Sequence, residues 1–194
     1  SALIVGVWVA FAGRWSLLDV PNPRSSHSMP TPRGGGVGIV VAMLTAVAVL
    51  YSTGALDGSL AAALACGGAV AVVGLIDDWR GLSASTRIAV HALAAGAALY
   101  WILCSPGSDR WACGPGVAAL LLAVCLFAVV SATNVFNFMD GIDGLAASEA
   151  IFFSTAAWVI GDAVGADATA APVWGCLAAS TLGFAIFNWP PARI

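Results

Sequence analysis

The sequence predicts an all-α, polytopic integral membrane protein. Its composition is 60% hydrophobic and 9% charged, and its mean hydropathy of +0.95 lies far from the balance of a soluble domain. Seven apolar runs alternate with short polar stretches rich in proline, glycine and aspartate. This alternation predicts about seven transmembrane helices in a single transmembrane domain, residues 1–194.

The apolar runs are residues 1–18, 37–51, 60–76, 86–103, 116–133, 145–160 and 172–187. Some are shorter than the roughly 20 residues that a straight span needs, so flanking residues must extend them. Ser83 or Ser85 is a suitable N-cap for the fourth helix. The chain lacks an initiator methionine and stops after a polar PPAR. We therefore expect a fragment that is incomplete at the C-terminus and also at the N-terminus.

Counting seven crossings gives a topology. The polar stretches that begin at Asp19, Asp77, Asn134 and Asn188 then emerge on one side of the membrane. Six of the seven arginines lie in or beside these stretches: Arg14, Arg24, Arg33, Arg80, Arg87 and Arg193. The positive-inside rule makes that side the cytoplasm and puts the N-terminus outside. A net charge of −3 without any lysine excludes a nucleic-acid-binding surface.

Residues 134–145, NVFNFMDGIDGL, hold the densest set of polar side chains between apolar runs. Asn137, Asp140 and Asp143 are spaced three apart, so on a helical turn they would share a face and converge on a cation or a polar ligand. Ionisable groups at a membrane boundary are costly to desolvate, which favours a functional role. The alternative is a polar connection in which aspartate and glycine only form the turn.

An acidic pair, Asp77 and Asp78, follows the third apolar run. Adjacent carboxylates repel, so they require a cation, or one of them takes a raised pKa and accepts a proton. Arg87 begins the next helix and could bind a phosphate bidentately, with His91 one turn further along. The alternatives are solvated loop charges, an arginine that anchors the helix at the interface, and a lone buried histidine.

The first polar loop carries Arg24, His27 and Arg33 ahead of three glycines that open the second helix. Unpaired backbone amides at a helix N-terminus, together with cationic side chains, suit an anion. A flexible linker explains the same composition.

Three segments, DVPNPRSSHSMPTPRGGGVGI, GLIDDWRGLS and NVFNFMDGIDGLA, together resemble the polyprenyl-phosphate N-acetylhexosamine-1-phosphate transferases of glycosyltransferase family 4. The resemblance implies a fold of ten or eleven helices, of which this chain holds about seven. The first segment is most similar to the branch that starts O-antigen-type glycans on undecaprenyl phosphate. The phospho-MurNAc-pentapeptide transferases of peptidoglycan synthesis remain the alternative, although they carry a lysine where Gly81 stands.

The resemblance implies that a polyprenyl phosphate attacks the sugar-linked phosphate of a UDP-N-acetylhexosamine, releasing UMP. The reaction would take place at the cytoplasmic face of the bacterial inner membrane. Phosphoryl transfer depends on positioning and charge neutralisation, so magnesium is the expected cofactor, with manganese as a substitute. The sugar (GlcNAc, FucNAc or QuiNAc) and the oligomeric state, including a homodimer, stay open.

By similarity, Asp77 and Asp78 match an acidic pair that deprotonates or orients the lipid phosphate. Asp140 matches a further catalytic aspartate, and Asn137 and Asp140 match positions at the metal and the diphosphate. Asp143 matches the residue that contacts uridine. Three further substrate-binding positions are implied: Arg87, Asp19 and His27. The family's principal magnesium aspartate and its sugar-selecting loop follow NWPPAR and would lie beyond Ile194.

Two readings from other classes compete with this one. A transporter could use the carboxylates as a cation relay, but its charges would usually lie in the middle of a span. A CDP-alcohol-type transferase also clusters aspartates, but DGIDGLAAS lacks the arginine of that signature.

Cys104 and Cys113 fall in a loop that we expect outside, where they form either a disulfide or two free thiols.

Overall fold

The computed structural model describes residues 1–12, 18–19, 31–103, 115–165 and 169–194, with the backbone alone for residues 12, 18, 19 and 115. The described helices are α1 (Ala2–Ala12), α2 (Val37–Ser52), α3 (Gly58–Ala65), α4 (Gly67–Arg80), α5 (Ala84–Leu103), α6 (Pro115–Met139), α7 (Leu145–Ala163) and α8 (Ala171–Asn188). Within these ranges the strands are β1 (Leu18–Asp19) and β2 (Thr31–Pro32), an antiparallel pair. The all-α class is confirmed.

Among the described residues, four helical segments are long and apolar enough to cross a membrane: Gly58–Arg80, Ala84–Leu103, Gly116–Met139 and Ala171–Asn188. The first of them joins α3 and α4, which are separated by Cys66 alone. Helices α1 and α2 are apolar but have only 11 and 16 residues, fewer than the roughly 20 that span a bilayer. A polytopic membrane protein is therefore confirmed, while the count of seven crossings stays a prediction.

Helix α8 is the packing centre of the described bundle. It contacts α1, α2 and α7, and its buried Phe184 packs with Val5 of α1 and Ala147 of α7. A Cβ atom at Gly38 would overlap the side chain of Val5, so glycine at this position lets α1 and α2 approach closely. Small residues at helix contacts are the usual means of packing in a membrane, where lipid is as apolar as the side chains.

The end of α4 differs from the prediction. We expected the third run to stop at Ile76 and a loop to follow, but α4 continues to Arg80, so Asp77 and Asp78 lie in its last turns. The helix ends because Gly81 takes a positive φ of 66° while its amide donates to the Asp77 carbonyl at 2.8 Å. Charge alone does not end a helix, whereas a residue in this conformation does.

Candidate active site

Asp77 and Arg87 form a direct ion pair between the end of α4 and the first turn of α5. Arg87 Nη1 donates to Asp77 Oδ2 at 2.7 Å, and the two side chains keep 34% and 21% of their exposure, respectively. A pair this open to water stabilises a fold by only about 1 kcal/mol or less. The contact therefore matters mainly because it fixes the direction of the guanidinium.

The connection between α4 and α5 holds Asp77 in place. Its second oxygen, Oδ1, accepts from the Leu82 amide at 2.6 Å. Ser83 then caps α5, since its Oγ accepts from the Thr86 amide at 3.1 Å, which confirms one of the two predicted N-caps. Both carboxylate oxygens of Asp77 are thus engaged. The alternative of Asp77 as a free loop charge does not fit these contacts.

Arg33 links the first polar loop to this pair. Asp77 lies within electrostatic range of Arg33, and the Arg33 carbonyl accepts from Trp8 Nε1 at 2.8 Å. Arg33 is thereby tied to α1 while its charge reaches the end of α4. Two arginines from separate segments thus act on the Asp77 carboxylate, and a guanidinium at this junction suits an anion such as a phosphate.

The residues of the central motif do not share one helical face. Helix α6 extends beyond the predicted end at residue 133 to Met139, so Asn137 lies on the helix while Asp140 and Asp143 lie in the connection to α7. We call residues 140–144 the motif turn. The prediction of a common helical face was wrong because the helix ends at the first Asp-Gly pair, and Gly144 takes a φ of 74°.

The side chains of Asn137 and Asp140 are both exposed. Neither has a described hydrogen bond or ion pair, although surrounding protein atoms raise the pKa of the Asp140 carboxyl through desolvation. Amide and carboxylate oxygens suit magnesium, which often joins one or two protein ligands with substrate phosphates. The described residues contain no cluster of three His, Cys, Asp or Glu side chains that could hold a metal. The pair therefore fits a partial magnesium shell and no more.

The motif turn is bound to residues 189–194, which we call the post-α8 segment. Asp143 Oδ2 accepts from the Ala192 amide at 3.2 Å, and the Gly144 amide donates to Asn188 Oδ1 at 3.0 Å. The segment folds back along α8, where the Arg193 amide donates to the Phe187 carbonyl at 2.8 Å. Sequence reasoning missed Asn188. The available signal was an asparagine that closes an apolar run directly before a polar stretch.

The start of α2 joins the same end of the bundle. A Cβ atom at Gly35 would lie 2.7 Å from Phe184 and 2.9 Å from Ile194, whereas one at Gly36 would meet nothing within 4 Å. Glycine at position 35 is therefore explained by close packing against α8 and the post-α8 segment. The predicted anion site at this helix N-terminus stays a prediction.

These contacts bring together Arg33, Asp77 and Arg87 on one side, and the motif turn with the post-α8 segment on another. Gly35, two residues after Arg33, packs against Ile194 of the post-α8 segment. Among the described residues, no hydrogen bond or ion pair joins the side chains of Asp77 and Arg87 to the motif turn. Asp78 is half-buried and has a partner. Several predicted positions lie outside the described residues: Arg14, Arg24, His27, Cys104, Arg110, Cys113 and the side chain of Asp19.

His91 is described and buried, with 7% exposure. Its Nδ1 has no hydrogen-bond partner among the described residues. It lies one helical turn from Arg87 on α5, as predicted from the spacing. The interpretation as a lone buried histidine remains open beside a functional one.

Comparison with known proteins gives one matching family and relatives with different names. A profile of glycosyl transferase family 4 matches residues 60–194. A decaprenyl-phosphate N-acetylglucosaminephosphotransferase of Mycolicibacterium smegmatis is 31% identical over 96% of this chain and 50% of its own length. A probable undecaprenyl-phosphate N-acetylglucosaminyl 1-phosphate transferase of Bacillus subtilis is 26% identical over 91% of this chain and 49% of its own.

A phospho-N-acetylmuramoyl-pentapeptide-transferase of Heliobacterium modesticaldum is 35% identical over 54% of this chain and 30% of its own length. No solved structure matches the chain. The chain spans about half the length of the first two relatives. The matched region of the family profile includes the acidic pair, Arg87 and the motif turn.

Proposed function

We propose that this chain, which belongs to glycosyl transferase family 4, contributes part of an active site that transfers N-acetylhexosamine 1-phosphate from a UDP-sugar to a polyprenyl phosphate. The family membership confirms the resemblance inferred from the three sequence segments. An oxygen of the lipid phosphate attacks the sugar-linked phosphorus, the bond to the UMP phosphate breaks, and UMP leaves with its electrons. The products are UMP and a polyprenyl diphosphate sugar.

The observation that carries this proposal is the junction of Arg33, Asp77 and Arg87. Transfer between two phosphorylated substrates brings several negative charges together, so catalysis depends on cations in fixed positions. Arg87 can offer a guanidinium to a phosphate because Asp77 holds it at 2.7 Å. Asp77 is itself fixed by the Leu82 amide. We assign Asp77 the role of orienting Arg87, and we assign the neighbouring Asp78 the role of accepting a proton from the lipid phosphate.

The motif turn supplies the second half of the proposed site. Asn137 and Asp140 would hold magnesium, for which manganese could substitute, and the ion would neutralise charge on the diphosphate of the donor. Asp143 would contact uridine while its Oδ2 remains bonded to the Ala192 amide. Asp19 and His27 stay proposed substrate contacts from the first loop.

The donor that we favour is UDP-N-acetylglucosamine, since the relatives that match over nine-tenths of this chain are named for N-acetylglucosamine. We further propose a site on the cytoplasmic face of a bacterial inner membrane, with the N-terminus outside, and a role in starting an O-antigen-type glycan. Transfer of phospho-MurNAc-pentapeptide is the second candidate, favoured by the Heliobacterium relative. Against it, Gly81 has a φ of 66°, which suits glycine and would strain a lysine.

A cation relay in a transporter fits the geometry less well. The described carboxylates of the site lie at helix ends or in the motif turn, as Asp77 and Asp140 show. A relay would need charged groups near the middle of spans.

The test uses the full-length protein in membranes with radiolabelled UMP. Exchange of label into UDP-N-acetylglucosamine that requires both polyprenyl phosphate and magnesium is the expected result. Parallel reactions with UDP-MurNAc-pentapeptide separate the two donors, because exchange into that nucleotide alone would establish the second candidate. Absence of exchange with either donor, in membranes that contain the folded protein, would refute the transferase proposal.

A further inference from the structure

Asn188 is a buried amide at a meeting point of three backbone segments. It is the last residue of α8 and keeps 7% of its exposure. Its Oδ1 accepts from the Gly144 amide at 3.0 Å, and its Nδ2 donates to the Ile194 carbonyl at 3.2 Å. A backbone amide can only donate and a carbonyl can only accept, so the two partners together require a side chain that does both.

On the α7 side, the Leu145 amide donates to the Ile142 carbonyl at 3.1 Å, and the Gly144 carbonyl accepts from the Ser148 amide at 2.9 Å. These bonds leave the Gly144 amide without a backbone partner. Backbone bonds hold the first half of the motif turn to α6, where the Asp140 amide donates to the Phe136 carbonyl and the Ile142 amide to the Met139 carbonyl, both at 3.1 Å. At the other end, Gly144 is in the left-handed region with φ 74°. Helix α7 begins at Leu145 without a side-chain cap from Gly144, so Asn188 satisfies an amide that would otherwise be buried and unpaired.

The surroundings of Gly144 show how closely α8 approaches the turn. A Cβ atom on Gly144 would lie 3.4 Å from Pro190 Cδ and 3.5 Å from Trp189 Cε3. The neighbouring Asp143 bonds the Ala192 amide. The post-α8 segment therefore covers the turn, and the Asn188 amide is the buried side chain that joins the turn to that segment and to α8.

We infer that Asn188 is a positioning residue whose side-chain amide fixes the backbone at Gly144 and thereby the direction of the carboxylates in the motif turn. Asn188 itself need not touch either substrate. The part of this inference that concerns turnover rests on the proposed transferase function. The part that concerns the backbone does not.

Amide exchange at glycine tests the backbone part directly. The 194 residues contain three Asp-Gly pairs, ending at Gly58, Gly141 and Gly144. Labelling the aspartate carbonyl with ¹³C and the glycine nitrogen with ¹⁵N restricts the signals to Asp-Gly pairs, which include these three, in the full-length protein in nanodiscs. Gly58 and Gly141 have no described partner for their amides, so in the wild-type protein only Gly144 of the three should exchange slowly.

The decisive variant is Asn188→Leu, which keeps the approximate size of the side chain but removes its acceptor and donor. Gly144 exchange should accelerate about tenfold or more, as expected for the loss of one buried hydrogen bond, while Gly58 and Gly141 stay unchanged. Thr181→Val is the matched control. Thr181 lies two turns earlier on the same face of α8, keeps 1% of its exposure, and donates to the Leu177 carbonyl within the helix.

Turnover provides the second readout. If the transferase proposal holds, Asn188→Leu should lower kcat about tenfold or more with a smaller change in KM, since a misdirected carboxylate costs more in the transition state than in binding. Thr181→Val should stay near wild type. A wild-type protein without transferase activity would refute the proposed function. The exchange rate of the Gly144 amide would still test whether Asn188 restrains the backbone.

Two results would overturn the positioning role. Equal exchange of Gly144 and Gly141 in the wild-type protein would show that Asn188 does not restrain the turn, and this comparison needs no variant. Accelerated exchange with unchanged kcat in Asn188→Leu would show that the restraint has no bearing on catalysis.

Discussion

Arg87 Nη1 lies 2.7 Å from Asp77 Oδ2, and the same carboxylate accepts from the Leu82 amide through its other oxygen. In this arrangement Asp77 orients the guanidinium of Arg87 and does not act as an isolated general base. The two residues should then act as a unit in catalysis, because a guanidinium without its carboxylate loses its fixed direction.

The first prediction is a double-mutant cycle on this pair. Asp77→Asn keeps an oxygen for the Leu82 amide but loses the charge that holds Arg87, so turnover should fall on the order of a hundredfold. Arg87→Gln should cost a similar factor. The double variant should lose little more than the worse single variant, since both changes break one interaction.

The cycle is measured as kcat and KM for the lipid phosphate with the full-length enzyme. Losses that multiply in the double variant would mean that the two residues act independently. Activity near wild type in either single variant would return Asp77 and Arg87 to the roles of a surface charge and an interface anchor.

A second prediction concerns the end of α4. Gly81 has φ 66° and ψ 107°, a conformation that costs an L-residue about 1 kcal/mol or more. Gly81→Ala should therefore lower the thermal unfolding midpoint in detergent. Gly74→Ala is the control within the same helix, because an added Cβ there meets nothing within 4 Å and alanine favours the helix by roughly 1 kcal/mol. A midpoint that is unchanged in Gly81→Ala would contradict the described end of α4.

The third prediction separates packing from anion binding at the start of α2. Gly35→Ala should destabilise the protein by about 1–3 kcal/mol, since the new Cβ overlaps Phe184 and Ile194 in a packed site. Gly36→Ala should be tolerated because its Cβ would meet nothing. Comparing thermal midpoints and transferase activity of the two variants decides the question. A loss of activity in Gly36→Ala at normal stability would instead favour the anion site.

The fourth prediction concerns Cys104 and Cys113, which lie outside the described residues. If their loop faces an oxidising compartment, the two thiols should form a disulfide that closes a short loop. Thiol labelling of intact cells with and without reductant measures this pairing. Labelling of both cysteines before reduction would leave the two-thiol alternative.

The parts that sequence predicted are those set by local pattern. Apolar runs predicted the helices, and the two serines at positions 83 and 85 predicted an N-cap for α5, which Ser83 provides. The pattern also placed Asp77 after one apolar run and Arg87 at the start of the next helix. It did not predict that they would pair with each other, because a cation suited Asp77 and a phosphate suited Arg87 equally well.

The parts that sequence could not supply depend on contacts between distant segments. Gly144 and Asn188 are 44 residues apart, and no local periodicity connects them. The end of α6 was also placed too early, because polar side chains such as Asn134 and Asn137 can remain in a helix. Asn134 does so by donating from Nδ2 to the Val130 carbonyl at 2.8 Å.

The most direct test of the central claim, a magnesium-dependent transferase site built from the α4–α5 junction and the motif turn, is UMP exchange in matched aspartate variants. Asp77→Asn and Asp140→Asn in the full-length protein should each lower exchange of labelled UMP into UDP-N-acetylglucosamine on the order of a hundredfold. The control is Asp162→Asn, at the far end of α7 and about 26 Å from the motif turn by helix length, which should retain near wild-type exchange. Wild-type rates in both Asp77→Asn and Asp140→Asn would contradict the account.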